Sequence, residues 1–194
     1  MQALLIIDLQ VDFCPGGSLA VTDGDLIVPV INNYIELFRH KALPVLVTRD
    51  WHPENSMHFQ QHGGQWPRHC RQNTPGAEFH PALRLPEAAF VFSKGLKENE
   101  EGYSAFDAVD DRGNAFQSVL KSSHIKTLFI GGLATDYCVK VSALDALKYG
   151  YHVVLLADAV KGVNVRRGDA EKALSAIIAG GAETAGTEKL VRML

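Results

Sequence analysis

Residues 127–150 read TLFIGGLATDYCVKVSALDALKYG. Thr127 to Ile130 is a short apolar run, the pattern of a strand covered on both faces. A turn containing two glycines follows. From Tyr137 to Tyr149 the period changes: Val141, Leu144 and Leu147 recur at helical spacing, and Gly150 stands where a helix end favours a left-handed residue. Strand, turn and amphipathic helix in immediate succession make up most of a βαβ unit, so the stretch points to a parallel sheet.

The rest of the chain repeats the unit. Ala3 to Ile7, Pro44 to Thr48, Ala89 to Phe92 and His152 to Leu156 are further apolar runs, with a weaker one at Glu183 to Ala185. Helical spacing recurs over Asp25 to His40 (Ile27, Ile31, Ile35, Phe38), Ala115 to Ser122 and Asp169 to Ala179, and a last element is expected around Leu190 and Val191. This alternation predicts an α/β fold: an open parallel sheet of five to six strands with helices on both faces, a three-layer sandwich. A single domain over 1–194 is expected. Residues 50–86 form a loop region rich in His, Gly, Pro and Gln, and loops that long in compact domains usually carry function.

The 194 residues carry a formal net charge of -3, which offers no electrostatic case for nucleic acid or an acidic membrane as partner. The N-terminal apolar run is too short to span a bilayer. Three cysteines are poor material for a disulfide framework and fit a reducing compartment, so the cytoplasm is the expected location. A small-molecule substrate is the expected partner, and either a monomer or a homo-oligomer is compatible with the composition.

Open α/β sheets gather ligands outside the carboxyl ends of their strands. Used as a filter, that rule brings Asp8, Asp50 and Lys94, at the ends of the first three strands, to the same rim as Cys138 after the fourth. Cys138 is expected near a helix N-terminus, where free N–H groups and the macrodipole lower a thiol pKa and can hold an oxyanion. An ammonium from Lys94 would favour the thiolate, and Asp8 would serve as general base and then acid.

The motifs around these positions resemble those of nicotinamidases, within the isochorismatase-like cysteine hydrolases. Leu5-Ile6-Ile7-Asp8-Leu9-Gln10-Val11-Asp12-Phe13 is similar to their N-terminal signature, and Thr48-Arg49-Asp50-Trp51-His52-Pro53 to their metal motif. Trp66-Pro67-Arg68-His69-Cys70, Phe92-Ser93-Lys94-Gly95 and Gly131-Gly132-Leu133-Ala134-Thr135-Asp136-Tyr137-Cys138-Val139 follow in the family's order. The resemblance implies Asp8, Lys94 and Cys138 as a catalytic triad. It also implies a cis peptide between Leu133 and Ala134, and an oxyanion hole from the Ala134 and Cys138 N–H groups.

It further implies Asp50, His52, His58 and His69 as ligands of one divalent metal ion. One carboxylate and three imidazoles suit zinc, iron(II) or manganese. His62 is the nearest decoy for His58. Phe13, Trp66, Tyr103, Leu133 and Ala134 are the implied substrate-binding residues, and aromatic walls suit a flat heteroaromatic ring. The charged loop 97–102 departs from the family pattern and bears on Tyr103. The expected reaction is hydrolysis of nicotinamide, and of pyrazinamide, by a cysteine thioester route serving NAD salvage. Two rivals are an amidohydrolase of the same superfamily with another small amide or carbamoyl substrate, and a non-hydrolytic metal or thiol protein. The absence of a Cys-x-x-Cys pair argues against the second.

Overall fold

The computed structural model describes residues 1–193. Six strands, β1 (Gln2–Ile7), β2 (Val45–Asp50), β3 (Phe90–Lys94), β4 (Thr127–Leu133), β5 (His152–Lys161) and β6 (Glu183–Ala185), form one sheet in the order β3-β2-β1-β4-β5-β6. Every pairing is parallel. Five α-helices accompany it: α1 (Val28–His40), α2 (Phe116–Ser122), α3 (Lys140–Lys148), α4 (Asp169–Ala179) and α5 (Thr187–Met193).

Strand alternation splits the core in two. Leu4, Ile6, Val45, Val47 and Phe129 face one side and pack with Ile31, Tyr34, Ile35 and Phe38 of α1 and Leu190 of α5. Leu5, Ile7, Leu46, Leu128 and Ile130 face the other, against Phe116 and Leu120 of α2, Ala143 and Ala146 of α3, and Ile177 of α4. The apolar runs lack clean alternation because both of their faces are buried this way.

Several boundaries differ from expectation. The first helix begins as a 3-10 turn, Gly24–Ile27, and becomes α-helical at Val28, with Pro29 in the first turn where its missing N–H costs nothing. β5 runs on to Lys161 because the chain bulges past the exposed Ala157 and Asp158 and rejoins β4 at Gly132 and Leu133. α3 starts at Lys140; residues Thr135–Val139 wind as a wider π turn with Cys138 inside it. Gly132 has φ 124 and lies against the Ile7 backbone so closely that any Cβ would collide with it.

From β1 the chain builds β2 and β3 on one side, then crosses to place β4 on the other. The switch point therefore lies between β1 and β4, and the crevice beyond their carboxyl ends is where such sheets take ligands.

Candidate active site

Asp8 follows β1 directly and holds a left-handed φ of 46, which Asp tolerates better than most residues. Its Oδ1 accepts a hydrogen bond from Thr48 Oγ1 at 2.7 Å. Lys94, the last residue of β3, is wholly buried and reaches across β2 toward β1. Its Nζ lies 2.7 Å from Asp8 Oδ2 and contacts Asp50 Oδ1 closely. It also donates to the Gly102 carbonyl at 2.5 Å and to Cys138 Sγ at 3.5 Å. One ammonium thus ties together the ends of three strands, a loop and the π turn.

Burial alone would strip the proton from Lys94, but Asp50 and Asp8 outweigh it and hold the group as a cation. Burial likewise opposes ionisation of Asp50, yet Lys94 and then His52 keep its carboxyl well below the usual range. Asp8 goes the other way, raised from 3.8 to about 6: burial dominates, Lys94 opposes it and the Asp50 charge adds to it. Cys138 departs from expectation. Its thiol is pushed well up because burial outweighs the pull of Lys94, and the residue sits within the π turn ahead of α3. A protonated Cys138 thiol thus stands beside an Asp8 carboxyl raised to about 6.

The second cluster adjoins the first through Asp50. One ring nitrogen from each of His52, His58 and His69 lies within 4.8 Å of the others. Asp50 Oδ2, the oxygen turned away from Lys94, lies 3.6 Å from His52 Nε2 and 3.9 Å from His69 Nε2. His69 Nδ1 meets the Pro67 carbonyl at 2.8 Å, which fixes its proton there and leaves the Nε2 lone pair free. His58 is driven down from 6.5 to about 3 by burial and by His52 and His69, so its imidazole is neutral. Both ring nitrogens of His52 are buried without a hydrogen-bond partner. Unpartnered buried nitrogens are costly unless a ligand takes a lone pair. Three clustered imidazoles with a carboxylate beside two of them fit a divalent ion. His62 is exposed on the 3-10 turn Gln60–His62, outside the cluster.

A narrow cavity opens above both clusters. Phe13, Trp66, Tyr103 and Ala134 line it with Cys138, His58 and His69. Trp66 Nε1 donates to Tyr103 Oη at 2.8 Å, and Tyr103 lies edge-on to His58 with centroids 5.3 Å apart, so the charged 97–102 loop leaves Tyr103 at the site. Leu133 is the exception among the expected pocket residues. It is fully buried in the α1-side core and is not part of the cavity wall, because strand alternation turns it inward just before the chain leaves β4. The Leu133–Ala134 peptide is cis. Leu19, Tyr137 and Val163 complete the wall.

Sequence reasoning overlooked the supporting residues. Gln10 is fully buried; its Nε2 donates to the carbonyls of Asp50 and Ala77, and its Oε1 accepts from the Asp50 N–H, each at 2.8 Å. Asp12 accepts from the Cys70 N–H at 2.7 Å, next to His69, and from the Ser18 N–H at 3.1 Å. A polar side chain two and four residues after a strand-end acid, inside an apolar segment, was the available signal.

A parallel sheet whose switch-point crevice holds a buried cysteine, an Asp–Lys–Asp chain and a histidine cage defines a class. The chain belongs to the isochorismatase family, whose domain matches residues 2–189. Within that family it is similar to several nicotinamidases. The Escherichia coli nicotinamidase is 41% identical over 93% of this chain and 92% of its own length. Pyrazinamidase of Pyrococcus horikoshii in complex with zinc superposes with a TM-score of 0.88 at 45% identity, covering 96% of this chain and 99% of that one. PnC1 from L. infantum in complex with nicotinate gives a TM-score of 0.86 at 35% identity, covering 97% and 93%.

Proposed function

We propose that this chain hydrolyses nicotinamide to nicotinate and ammonia, and pyrazinamide to its acid, through a thioester on Cys138. The observation that carries the reading is the Lys94 ammonium held among Asp8, Asp50 and Cys138, with the histidine cage sharing Asp50. Asp8, raised to about 6, is ionised at neutral pH yet basic enough to accept the thiol proton. Lys94 stabilises the thiolate as it forms. Sulfur attacks the carboxamide carbon, and the Ala134 and Cys138 N–H groups receive the oxyanion. The C–N bond breaks as Asp8 returns the proton to the departing ammonia. Asp8 then takes a proton from water, whose oxygen attacks the thioester; the C–S bond breaks and nicotinate leaves.

Phe13, Trp66 and Tyr103 would hold the flat ring by burial and stacking. Asp50, His52, His58 and His69 would hold a divalent ion, zinc being the ion named for the Pyrococcus horikoshii structure. When bound, it supplies a Lewis-acid anchor for the pyridine nitrogen, directly or through water. In this reading residues 1–194 act as one domain whose 50–86 loop region carries most of the cage. A cytoplasmic role in NAD salvage fits three buried cysteines, none in a disulfide.

The test is ammonia release from nicotinamide, pyrazinamide and an N-carbamoyl amine, with metal content measured on the same sample. The expected result is turnover of both ring amides by metal-containing protein. Turnover of the carbamoyl compound alone would overturn the substrate assignment.

A further inference from the structure

The histidine cage is not the only ligand set in this crevice. Asp8, Asp50 and Cys138 each offer a ligand-type atom, and these atoms lie within 4.8 Å of one another, all buried. Their shared centre is filled by the Lys94 Nζ, which donates to Asp50 Oδ1, to the Gly102 carbonyl at 2.5 Å and to Cys138 Sγ at 3.5 Å, and forms an ion pair with Asp8 Oδ2 at 2.7 Å. Its three protons are taken up by those three hydrogen bonds, so Asp8 Oδ2, buried without a hydrogen-bond partner, meets the ammonium through charge alone. Two carboxylates, a carbonyl and a sulfur about one point are instead what a four-coordinate cation accepts.

We propose that Lys94 is a resident cation filling a latent second metal site, and that it thereby keeps a zinc-class ion off Cys138. The two sites share one carboxylate: Asp50 turns Oδ1 to Lys94 and Oδ2 to His52 and His69. An ion in the cage is therefore one carboxylate away from the nucleophile. Thiolate is a softer donor than imidazole, so an unguarded Cys138 would compete for a borderline metal and lose the lone pair that attack requires. Lys94 prevents this by position and by charge. It occupies the coordination centre, and it balances Asp8 and Asp50, which without it would be two buried anions with no counter-charge. A covalently tethered monocation cannot be displaced from the site, and it leaves the sulfur lone pair uncommitted.

The proposal rests on the functional reading only for the place of the first ion. It is tested by zinc stoichiometry after saturation and desalting, by the thiolate-to-cobalt charge-transfer absorption of the cobalt(II)-loaded protein, and by iodoacetamide labelling of Cys138. Wild type should hold one zinc, show no thiolate band, and label at the same rate with or without excess zinc. Lys94→Ala should hold about two zinc ions and show the band, and zinc should slow its labelling by about tenfold or more. Lys94→Ala combined with Cys138→Ser should lose the band. A thiolate band or zinc protection in wild type would overturn the proposal; so would a folded Lys94→Ala with one zinc and no band. If Lys94→Ala does not fold, Lys94→Ser carries the same three readouts. No metal in the wild-type cage, with the band still present in Lys94→Ala, would sink the histidine assignment and uphold this one.

Discussion

Asp50 is the carboxylate on which both halves of the site converge, and Asp50→Asn separates their contributions. The substitution keeps size and shape, and the Gln10 clamp acts on the backbone of residue 50, so the chain path is retained. The charge is what is lost. Breaking a buried ion pair costs about 3–5 kcal/mol, and losing a hydrogen bond to a charged group about 1.5–3 kcal/mol. Lys94 keeps Asp8 at 2.7 Å and Gly102 at 2.5 Å, and Asp8, freed of the Asp50 charge, ionises more readily. The expected loss is therefore where those ranges meet, about 3 kcal/mol. Urea unfolding in EDTA at neutral pH reads this term alone. Repeating it with zinc reads the second: wild type gains about 4 kcal/mol at a thousandfold excess over Kd, and a ligand loss that weakens binding about 100-fold removes about 2.7 kcal/mol of that gain. An unchanged midpoint in EDTA would refute the Lys94 pairing, and an unchanged zinc gain would refute Asp50 as a ligand.

Gln10→Glu replaces the amide N–H donors with a carboxylate that faces two carbonyls; zinc retention against a chelator should fall about tenfold or more while the far-ultraviolet circular dichroism stays native. Removal of the Tyr103 hydroxyl in Tyr103→Phe unpairs Trp66 Nε1 and loosens the ring pocket, which should raise KM about fivefold with a smaller change in kcat. The pH profile of kcat/KM should show an acidic limb near 6, activity falling as Asp8 takes up a proton; a limb below 4, the range of an ordinary carboxylate, would contradict its role. The sign for stability is opposite to that of a salt-bridged acid. The folded pKa of Asp8 lies above its unfolded value, so its ionisation destabilises the fold above about 6, and that penalty vanishes below 3.8. Cys138→Ala should abolish ammonia release while metal content stays near wild type.

Much of the fold is written locally. Runs such as Ala3 to Ile7 and Thr127 to Ile130 state their burial in composition, and helix Asp169–Ala179 begins and ends where its spacing and the following glycines place it. Boundaries set by tertiary contact were less legible. The apolar run of β5 breaks at Ala157 and Asp158, and the strand continues beyond them because β4 offers Gly132 and Leu133 as partners. The strand-end rule brings Asp8, Asp50, Lys94 and Cys138 to one rim, and the structure places them in contact. That one lysine would bridge both carboxylates, and so join two constellations that read as separate, depends on side-chain reach that spacing does not encode. The same holds for Cys138. A turn before a helix suggests a depressed thiol pKa, but the depth of burial, which decides the matter, is a property of the assembled chain. Leu133 was misplaced for a related reason: sequence adjacency to Ala134 says nothing about which way an alternating strand turns it.

The most direct test of the central claim is acid quenching of the enzyme during nicotinamide turnover, followed by intact-mass and peptide mass spectrometry. A nicotinoyl group should be found on the peptide containing Cys138, labile to hydroxylamine and absent from Cys138→Ala. Ammonia release at an undiminished rate by Cys138→Ala, or an acyl group on another residue, would contradict the account.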